Sequence, residues 1–179
     1  MRVITGTARG CRLETPTGQA TRPTAERVKE GLFSAIQFEI EGRRTLDLFA
    51  GSGQLGIEAL SRGAASCVFV EQNGQTAELV RRNLQAAKLF SSAQVLTTEA
   101  LGFLARCREQ FDLVFLDPPY GDALLASCLA AVEPHIADGG LVVCESDEGQ
   151  ALPETVGALQ ADRTYRYGRV HITLYRRKV

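Results

Sequence analysis

The sequence predicts an α/β fold built on a doubly wound, mainly parallel sheet. Three observations predict it. Short β-rich runs alternate with helical stretches from residue 44 to residue 145, a glycine-rich turn joins the first strand to the next helix, and two alternating runs lie near the end of the chain. Strands that alternate with helices are joined by right-handed crossovers, and such crossovers produce parallel sheets.

The predicted strands are short runs rich in β-branched and aromatic residues, and the predicted helices carry apolar residues at helical spacing. The strands are Thr45–Phe49, Ser66–Val70, Ala93–Thr97, Phe111–Leu116 and Gly140–Glu145. The helices are a segment containing Leu55 and Leu60, then Gln75–Ala87, Leu101–Arg106 and Leu124–Val132. The run at Phe111–Leu116 is almost entirely apolar, which is typical of a central strand covered on both faces.

Both ends of the chain depart from this alternation. Arg163–Tyr167 and Val170–Tyr175 flank a Gly-Arg turn, which predicts an antiparallel hairpin at the sheet edge. Arg2–Thr5 and Cys11–Thr15 flank a second turn and predict an N-terminal β-hairpin appended to the sheet. Because 179 residues fit one core, we expect a single domain, with a basic hairpin extension at 1–20 and a catalytic core at 21–179.

Composition narrows the class of protein. Hydrophobic residues make up 45% and charged residues 23% of the chain, close to the averages of globular proteins, which excludes disordered and fibrous classes. The apolar runs are shorter than the roughly 20 residues of a membrane helix. The start of the chain has no secretory signal pattern. The five cysteines are scattered without metal-ligand spacing. We therefore expect a cytoplasmic monomer without a metal and without membrane association.

Charge is distributed unevenly along the chain. The net charge is −1, but residues 1–29 carry +4, residues 163–179 carry +6, and the segment between them carries −11. Two basic ends on an acidic body predict that a polyanion binds at the termini if the fold brings them together. Two ordinary solvated surfaces are the alternative. The candidate RNA-binding side chains are Arg2, Arg9, Arg12, Arg22, Arg27 and Lys29.

The strongest cofactor signal is the glycine-rich turn after the first predicted strand. Gly51 and Gly53 allow a sharp turn and a close approach of the backbone to a ligand. The string GSGQLG also matches the pattern of dinucleotide-binding loops. Asp47 favours S-adenosylmethionine, since a carboxylate there can face an ammonium group and would repel a pyrophosphate. Phe49 and Ser52 are further candidate cofactor contacts in this loop.

Two later strands also end in acidic residues. Glu71 follows Gly51 by 20 residues, a spacing at which a carboxylate accepts hydrogen bonds from ribose hydroxyls, and Gln72 stands beside it. The pair Glu99-Ala100 follows the third strand and can border the adenine, although Glu99 fits an ordinary surface acid almost as well.

The most specific motif is Asp117-Pro118-Pro119-Tyr120, directly after the central strand. An exocyclic amine is a poor nucleophile because its lone pair is delocalised into the ring. The Asp117 carboxylate and the Pro118 carbonyl can accept its two N–H bonds, and the prolines hold the loop rigid. Tyr120 can stack on a base that has been swung out of its helix. The motif predicts methylation of an amino group on a nucleic-acid base.

An apolar helical pattern at residues 21–33 follows a basic segment. Thr24 is a candidate N-cap for this helix, and Arg22, Arg27 and Lys29 are placed to meet a phosphate or the cofactor. By itself this pattern fits an ordinary amphipathic helix equally well.

Taken together, these motifs resemble those of the bacterial RsmD family of 16S ribosomal RNA (guanine-N2)-methyltransferases. The similarity runs in order through RVITGTARGCRL, TRPTAERVKEGLF, DLFAGSGQLGIEALSRGA, FVEQN and FDLVFLDPPY. It implies a Rossmann-like class I methyltransferase fold, S-adenosylmethionine as methyl donor, and guanine 966 of the small ribosomal subunit, or of a late assembly intermediate, as substrate. It also implies that the glycine loop and Glu71 bind the cofactor, that Asp117–Tyr120 form the catalytic loop, and that Arg22 and Thr24 close over the site.

Three other functions fit parts of the sequence. An adenine-N6 methyltransferase acting on DNA or RNA would use the same catalytic loop, but no DNA target-recognition domain is recognisable in 179 residues. A nicotinamide-dependent oxidoreductase would use the glycine loop and leave the Asp-Pro-Pro-Tyr motif without a role. A non-catalytic RNA-binding module would use only the basic ends.

Overall fold

The computed structural model describes residues 1–18, 23–119 and 122–179, and the side chains of Pro23, Thr24 and Asp122 lie outside the described part. Its centre is an eight-stranded sheet in the order β3-β2-β1-β4-β5-β8-β7-β6. Strands β1 to β5 are parallel, and β6, β7 and β8 add an antiparallel edge. The predicted doubly wound fold is confirmed.

The strands and helices alternate as the sequence predicts. The strands are β1 (Arg44–Asp47), β2 (Ser66–Glu71), β3 (Ala93–Thr97), β4 (Phe111–Leu116), β5 (Ile136–Asp147), β6 (Thr155–Val156), β7 (Leu159–Tyr167) and β8 (Val170–Arg177). The helices are α1 (Pro23–Ala35), α2 (Gln54–Ser61), α3 (Gly74–Ala86), α4 (Ala100–Arg106) and α5 (Asp122–Val132).

Helices cover both faces of the parallel part of the sheet. On the first face, α1, α2 and α3 bury a core that includes Phe33, Ile57, Leu84 and Phe115. On the second face, α4 and α5 bury a core around Val114 and Leu116. Both faces of β4 are therefore apolar, which is why its sequence is an uninterrupted apolar run. Among the described helices, none is long and apolar enough to cross a membrane.

Strand order places a topological switch point between β1 and β4. From β1 the chain winds outward through β2 to β3, then returns to place β4 on the other side of β1. The connections on the two sides leave the sheet in opposite directions, so a crevice opens beyond the carboxyl ends of β1 and β4. Open α/β sheets bind their ligands at such crevices. The residues after Asp47 and Leu116 therefore border the candidate site.

The edge of the sheet differs in detail from the prediction. Strand β5 begins at Ile136, before the predicted Gly140. Ile136 pairs with Phe111, and Leu141 pairs with Leu113. The extra residues of β5 between these two pairs form a bulge. The two-residue strand β6 outside β7 was not predicted. Such a short segment carries too little periodicity to identify it from sequence.

The N-terminal hairpin forms over a single bridge, Arg2 to Arg12, and its two arms are not strands of the sheet. The ladder ends because the backbone N–H groups of Ile4 and Thr5 turn to the carboxylate of Glu58 on α2, at 2.9 and 3.0 Å. Ser61 continues this attachment, since its hydroxyl donates to the Thr5 carbonyl at 2.7 Å. The N-terminal segment therefore docks on α2.

Glu58 is the centre of this attachment. Its side chain is fully buried, forms salt bridges with Lys29 and Arg62 at 3.4 and 2.9 Å, and accepts the two backbone bonds described above. Lys29 is also buried and donates to the Arg2 carbonyl at 2.8 Å. Burial lowers the pKa of Lys29, and the charge of Glu58 opposes that shift. Two buried charges of opposite sign thus hold the N-terminal segment against α1 and α2.

We predict that Glu58→Ala lowers the free energy of unfolding by about 3–5 kcal/mol, because it leaves the buried Lys29 ammonium without its counter-charge. Urea unfolding followed by circular dichroism measures the change. The matched control is Glu78→Ala on α3, whose exposed salt bridge with Arg81 contributes at most about 1 kcal/mol. Equal effects of the two substitutions would contradict this account of Glu58.

Candidate active site

The glycine loop lies at the switch point and has the backbone that its sequence predicts. Gly51 and Gly53 have φ angles of 55° and 79°, in the left-handed region that favours glycine. A Cβ on Gly53 would lie 3.0 Å from Val80 Cγ1, so the loop packs tightly on α3. A Cβ on Gly51 would meet no atom within 4 Å, because this residue faces open space. The loop therefore has one packed side and one side open to a ligand.

Three polar side chains fix the path of this loop. The Asp47 carboxylate accepts from the Gly56 N–H in the first turn of α2 at 3.0 Å, and the Glu71 carboxylate accepts from the Gly51 N–H at 3.1 Å. Asn83 of α3 donates to the Ser52 carbonyl at 2.8 Å and to the Glu14 carbonyl at 3.0 Å. Asn83 therefore joins the glycine loop to the N-terminal segment.

Carboxyl groups dominate the electrostatics of the crevice. Burial, aided by the charges of Asp117 and Glu71, raises the pKa of Asp47 to about 7 against the lowering effect of the Gly56 N–H. Burial raises the pKa of Asp117 to about 6. None of the salt bridges among the described residues involves Asp47, Glu71, Asp117 or Glu145. The crevice therefore has a surplus of negative charge.

The carboxylates of this crevice fit a cationic cofactor. S-adenosylmethionine carries an ammonium and a sulfonium, and each of these positive charges would relieve the repulsion among the carboxylates. The pyrophosphate of a nicotinamide dinucleotide would add two negative charges beside Asp47 and Glu71. The open side of Gly51 gives such a ligand room to approach the loop.

The remaining predicted cofactor residues lie along the same edge of the sheet. Phe49 is half-buried, Ser52 is buried and Gln72 is exposed. Glu99 is exposed and caps α4, since its carboxylate oxygens accept from the Leu101 and Gly102 N–H groups at 2.9 and 2.8 Å. Ala100 is buried in the first turn of that helix. Glu99 thus has a structural role here, and its contact with adenine stays a prediction.

The structure describes the first three residues of the catalytic loop. Asp117 and Pro118 are half-buried and Pro119 is exposed, directly after β4. Tyr120 lies outside the described residues, as do Arg22 and the side chain of Thr24. Asp117 follows Leu116 at the carboxyl end of β4, and Asp47 ends the adjacent strand β1. The fold therefore brings the predicted catalytic loop and the glycine loop to the same crevice.

The predicted RNA-binding residues divide into two groups. Arg2, Arg9, Arg12 and Arg27 are exposed, and none of them forms a salt bridge within the described residues. Lys29 is 2% exposed, so the prediction that it binds RNA is wrong. The physical reason is the buried Glu58 carboxylate, which holds the ammonium inside the protein.

The fold also brings the two basic ends of the chain together. Helix α1 crosses the C-terminal hairpin so closely that a Cβ on Gly31 would lie 2.2 Å from the Tyr167 hydroxyl. Arg27 lies one turn before Gly31, and the exposed Arg169 lies at the hairpin tip next to Tyr167. Arg176 and Arg177 do not add to this basic surface, since both form salt bridges with acidic side chains. The basic surface therefore consists of the N-terminal segment, α1 and the hairpin tip.

Sequence reasoning missed two residues of this region. Asn83 lies within an amphipathic helix and carries no motif. Glu145 is the last residue of the predicted fifth strand, and burial, then the charges of Asp117 and Asp147, raises its pKa to about 8. Glu145 could have been found from its position, because Asp47, Glu71 and Asp117 also stand where predicted parallel strands end.

Comparison with known proteins gives consistent matches over the whole chain. The family described as "Conserved hypothetical protein 95" matches residues 1–176. YlbH of Bacillus subtilis is 40% identical over 183 aligned residues, covering 99% of this chain and 100% of the relative. Ribosomal RNA small subunit methyltransferase D of Escherichia coli is 35% identical, covering 99% of this chain and 90% of the relative. The solved structure of yhhF from Escherichia coli has a TM-score of 0.90 and 36% identity, covering 99% of this chain and 98% of that one.

We predict that Asp47→Asn stabilises the cofactor-free protein at pH 8 relative to pH 5. An acid whose pKa is raised on folding, here to about 7, costs stability as the pH rises above its ordinary value, and asparagine has no such cost. The difference in the free energy of unfolding between variant and wild type should change by about 2 kcal/mol between pH 5 and pH 8. Urea unfolding at both pH values measures it.

Asp112→Asn is the control for this pH dependence. Burial raises the pKa of Asp112, but the hydrogen bonds and charge of Arg44 outweigh burial and lower it below its ordinary value. Asp112 is therefore ionised at both pH values, and its substitution should have the same effect at each. A pH-independent effect of Asp47→Asn would contradict the raised pKa of Asp47.

Proposed function

The chain belongs to the RsmD family of ribosomal RNA small-subunit methyltransferases, and we propose that it methylates the exocyclic N2 amino group of a guanine in 16S rRNA with S-adenosylmethionine as donor. The observation that carries this proposal is the position of Asp117 at the end of β4, across the switch point from the glycine loop. Family resemblance points to guanine 966. The whole chain acts as one domain and as a monomer, in the cytoplasm.

Asp117 and Pro118 prepare the amine for attack in this mechanism. The Asp117 carboxylate and the Pro118 carbonyl each accept one N–H bond of the amine, which directs the nitrogen lone pair away from the ring. S-adenosylmethionine, when bound, supplies an electrophilic methyl group on its sulfonium. The chemistry that this donor would supply is an in-line displacement, in which N2 would gain the methyl carbon, the carbon–sulfur bond would break and the sulfur would keep the electron pair, leaving S-adenosylhomocysteine. The extra N2 proton is then lost to Asp117 or to solvent.

The chain lowers the barrier mainly by holding two reactants in line. The methyl donor is held by the backbone of the glycine loop and by Asp47, Glu71 and Glu99. The base is held by the catalytic loop. Tyr120 stacks on the base, which reaches the loop unpaired. An ionised Asp117 accepts the N–H bond more strongly than the neutral acid does, so kcat/KM should rise with pH through its pKa, which is raised to about 6 in the cofactor-free protein.

The basic surface supplies the substrate contacts in this proposal. The exposed side chains of Arg2, Arg9, Arg12 and Arg27 lie on segments that Asn83 and Glu58 fix beside the glycine loop. Such charges bind phosphates irrespective of sequence and orient the RNA over the crevice. Ribosomal RNA in the small subunit, or in a late assembly intermediate, is therefore the partner. A nicotinamide-dependent reaction is disfavoured by the carboxylates of the crevice.

We predict that Asp117→Asn lowers kcat for methyl transfer by about 100- to 1000-fold and leaves cofactor affinity within about threefold, because the carboxylate acts mainly on the amine. Labelled-methyl incorporation into small subunits from cells that lack the activity measures the rate, and mass spectrometry identifies the product. Wild type should give one N2-methylguanine. Asp112→Asn, at the opposite end of the sheet, is the control and should retain full activity. A methylated adenine as the product would replace the proposal with adenine-N6 methylation.

We predict that the double substitution Arg9→Ala and Arg12→Ala weakens RNA binding and reduces the slope of log K against log salt concentration by about 1.5. The matched control is Arg108→Ala, an exposed arginine in the loop before β4 and so at the other end of the sheet. Filter binding of 16S rRNA at several salt concentrations measures both slopes. An unchanged slope in the double variant would remove the N-terminal segment from the RNA-binding surface.

A further inference from the structure

Glu145 lies beside Asp117 at the carboxyl edge of the sheet. Leu116 of β4 pairs with Cys144 of β5 in parallel register, so the next residues along the two strands, Asp117 and Glu145, are neighbours. Adjacent strands lie about 4.8 Å apart. A group held by Asp117 is therefore within one strand spacing of Glu145.

The side chain of Glu145 points to the same face of the sheet as the glycine loop. Its partner on the antiparallel strand β8 is Ile172, and directly opposite residues share a face. Ile172 is buried in the core that α1, α2 and α3 cover. Asp47 reaches Gly56 of α2 on that same side. Glu145, Asp47 and the first-face helices therefore border one crevice.

Glu145 has no role within the fold that explains it. The side chain is half-buried, and among the described residues it makes no salt bridge and no hydrogen bond. The charged groups that act on it are the carboxylates of Asp117 and Asp147, which repel it. A half-buried carboxyl with only like charges around it costs stability, and such groups concentrate at functional sites.

We propose that Glu145 reads the target base by accepting the N1–H bond of guanine while Asp117 and Pro118 hold the N2 amino group. This inference rests on the proposed guanine-N2 chemistry. In guanine, the N1 atom that carries this hydrogen is bonded to C2, the ring carbon that carries the N2 amino group. A carboxyl one strand away from Asp117 therefore faces the N1–H when Asp117 holds N2. The corresponding ring nitrogen of adenine has a lone pair and no hydrogen. With S-adenosylmethionine bound, its positive charges favour the ionised form of Glu145, which repels the lone pair of adenine and pairs with guanine.

The experiment compares two bases at the target position. Small subunits are reconstituted with 16S rRNA that carries either guanosine or 2-aminopurine riboside there. The analogue keeps the N2 amino group and lacks the N1–H and O6. Wild type should methylate guanine at least about tenfold faster than the analogue, because one charged hydrogen bond is lost. Methyl incorporation gives kcat/KM for each substrate.

Glu145→Ala should lower kcat/KM for guanine about 10- to 100-fold. It should leave the analogue unchanged or make it faster, because the N1 lone pair of the analogue no longer faces a carboxylate, so discrimination is lost. Glu145→Gln should keep most of the discrimination, since its amide carbonyl still accepts the N1–H. This near-isosteric variant also removes the risk that a cavity at position 145 unfolds the protein. Glu148→Ala, an exposed acid in the following loop, is the control and should match wild type.

Two results would overturn the inference, and they differ from failure of the proposed function. Equal losses on guanine and on the analogue in Glu145→Ala would show that Glu145 supports the fold or the cofactor and does not contact N1. Wild-type rates on both substrates in Glu145→Ala would show that it does not face the base. If wild type leaves guanine N2 unmethylated, the proposed function itself is wrong, and the assignment of Glu145 fails with it.

Discussion

The burial of carboxyl groups at one edge of a parallel sheet, where neighbouring carboxylates also repel one another, is the constraint on which the rest of the site depends. Asp47 ends β1, Asp117 follows β4, and Glu145 lies near the end of β5. Burial raises their pKa values to about 7, 6 and 8, and like charges add to the shifts of Asp47 and Glu145. Parallel strands deliver their carboxyl ends to one edge, so this convergence is a consequence of topology. A cation bound there is attracted by the carboxylates and relieves their unfavourable ionisation. This favours a methyl donor that carries an ammonium and a sulfonium. The same carboxylates exclude a pyrophosphate.

The fold holds this strained edge in place through buried polar contacts. Glu58 and Lys29 attach the N-terminal segment to α1 and α2, and Asn83 ties that segment to the glycine loop. The backbone bonds of Asp47 and Glu71 fix the loop from the strand side. Stability and the proposed RNA binding are therefore linked, since the segment that carries the exposed arginines is also the one that covers α2. Loss of Glu58 would loosen both.

Sequence patterns predicted most of the sheet, because apolar periodicity and turn chemistry are local properties. The bounds of β3 and β4 agree with the prediction, and the glycine loop has the expected left-handed residues. The errors are long-range. Glu58 reads as an ordinary helix acid, yet it recruits Ile4 and Thr5 from the other end of the chain and buries Lys29. Glu145 gains its meaning only from the register of β4 and β5, which no local pattern encodes.

Proton release on cofactor binding tests the electrostatic account most directly. If the ammonium and sulfonium relieve the repulsion among the carboxylates, binding lowers their pKa values and the protein releases protons at pH 6.5, where Asp47 and Glu145 are partly protonated. Calorimetry of S-adenosylmethionine binding in buffers of different ionisation enthalpy counts those protons. The account predicts net release that is larger for S-adenosylmethionine than for the uncharged sulfur of S-adenosylhomocysteine. Proton uptake, or equal release with both ligands, would contradict it.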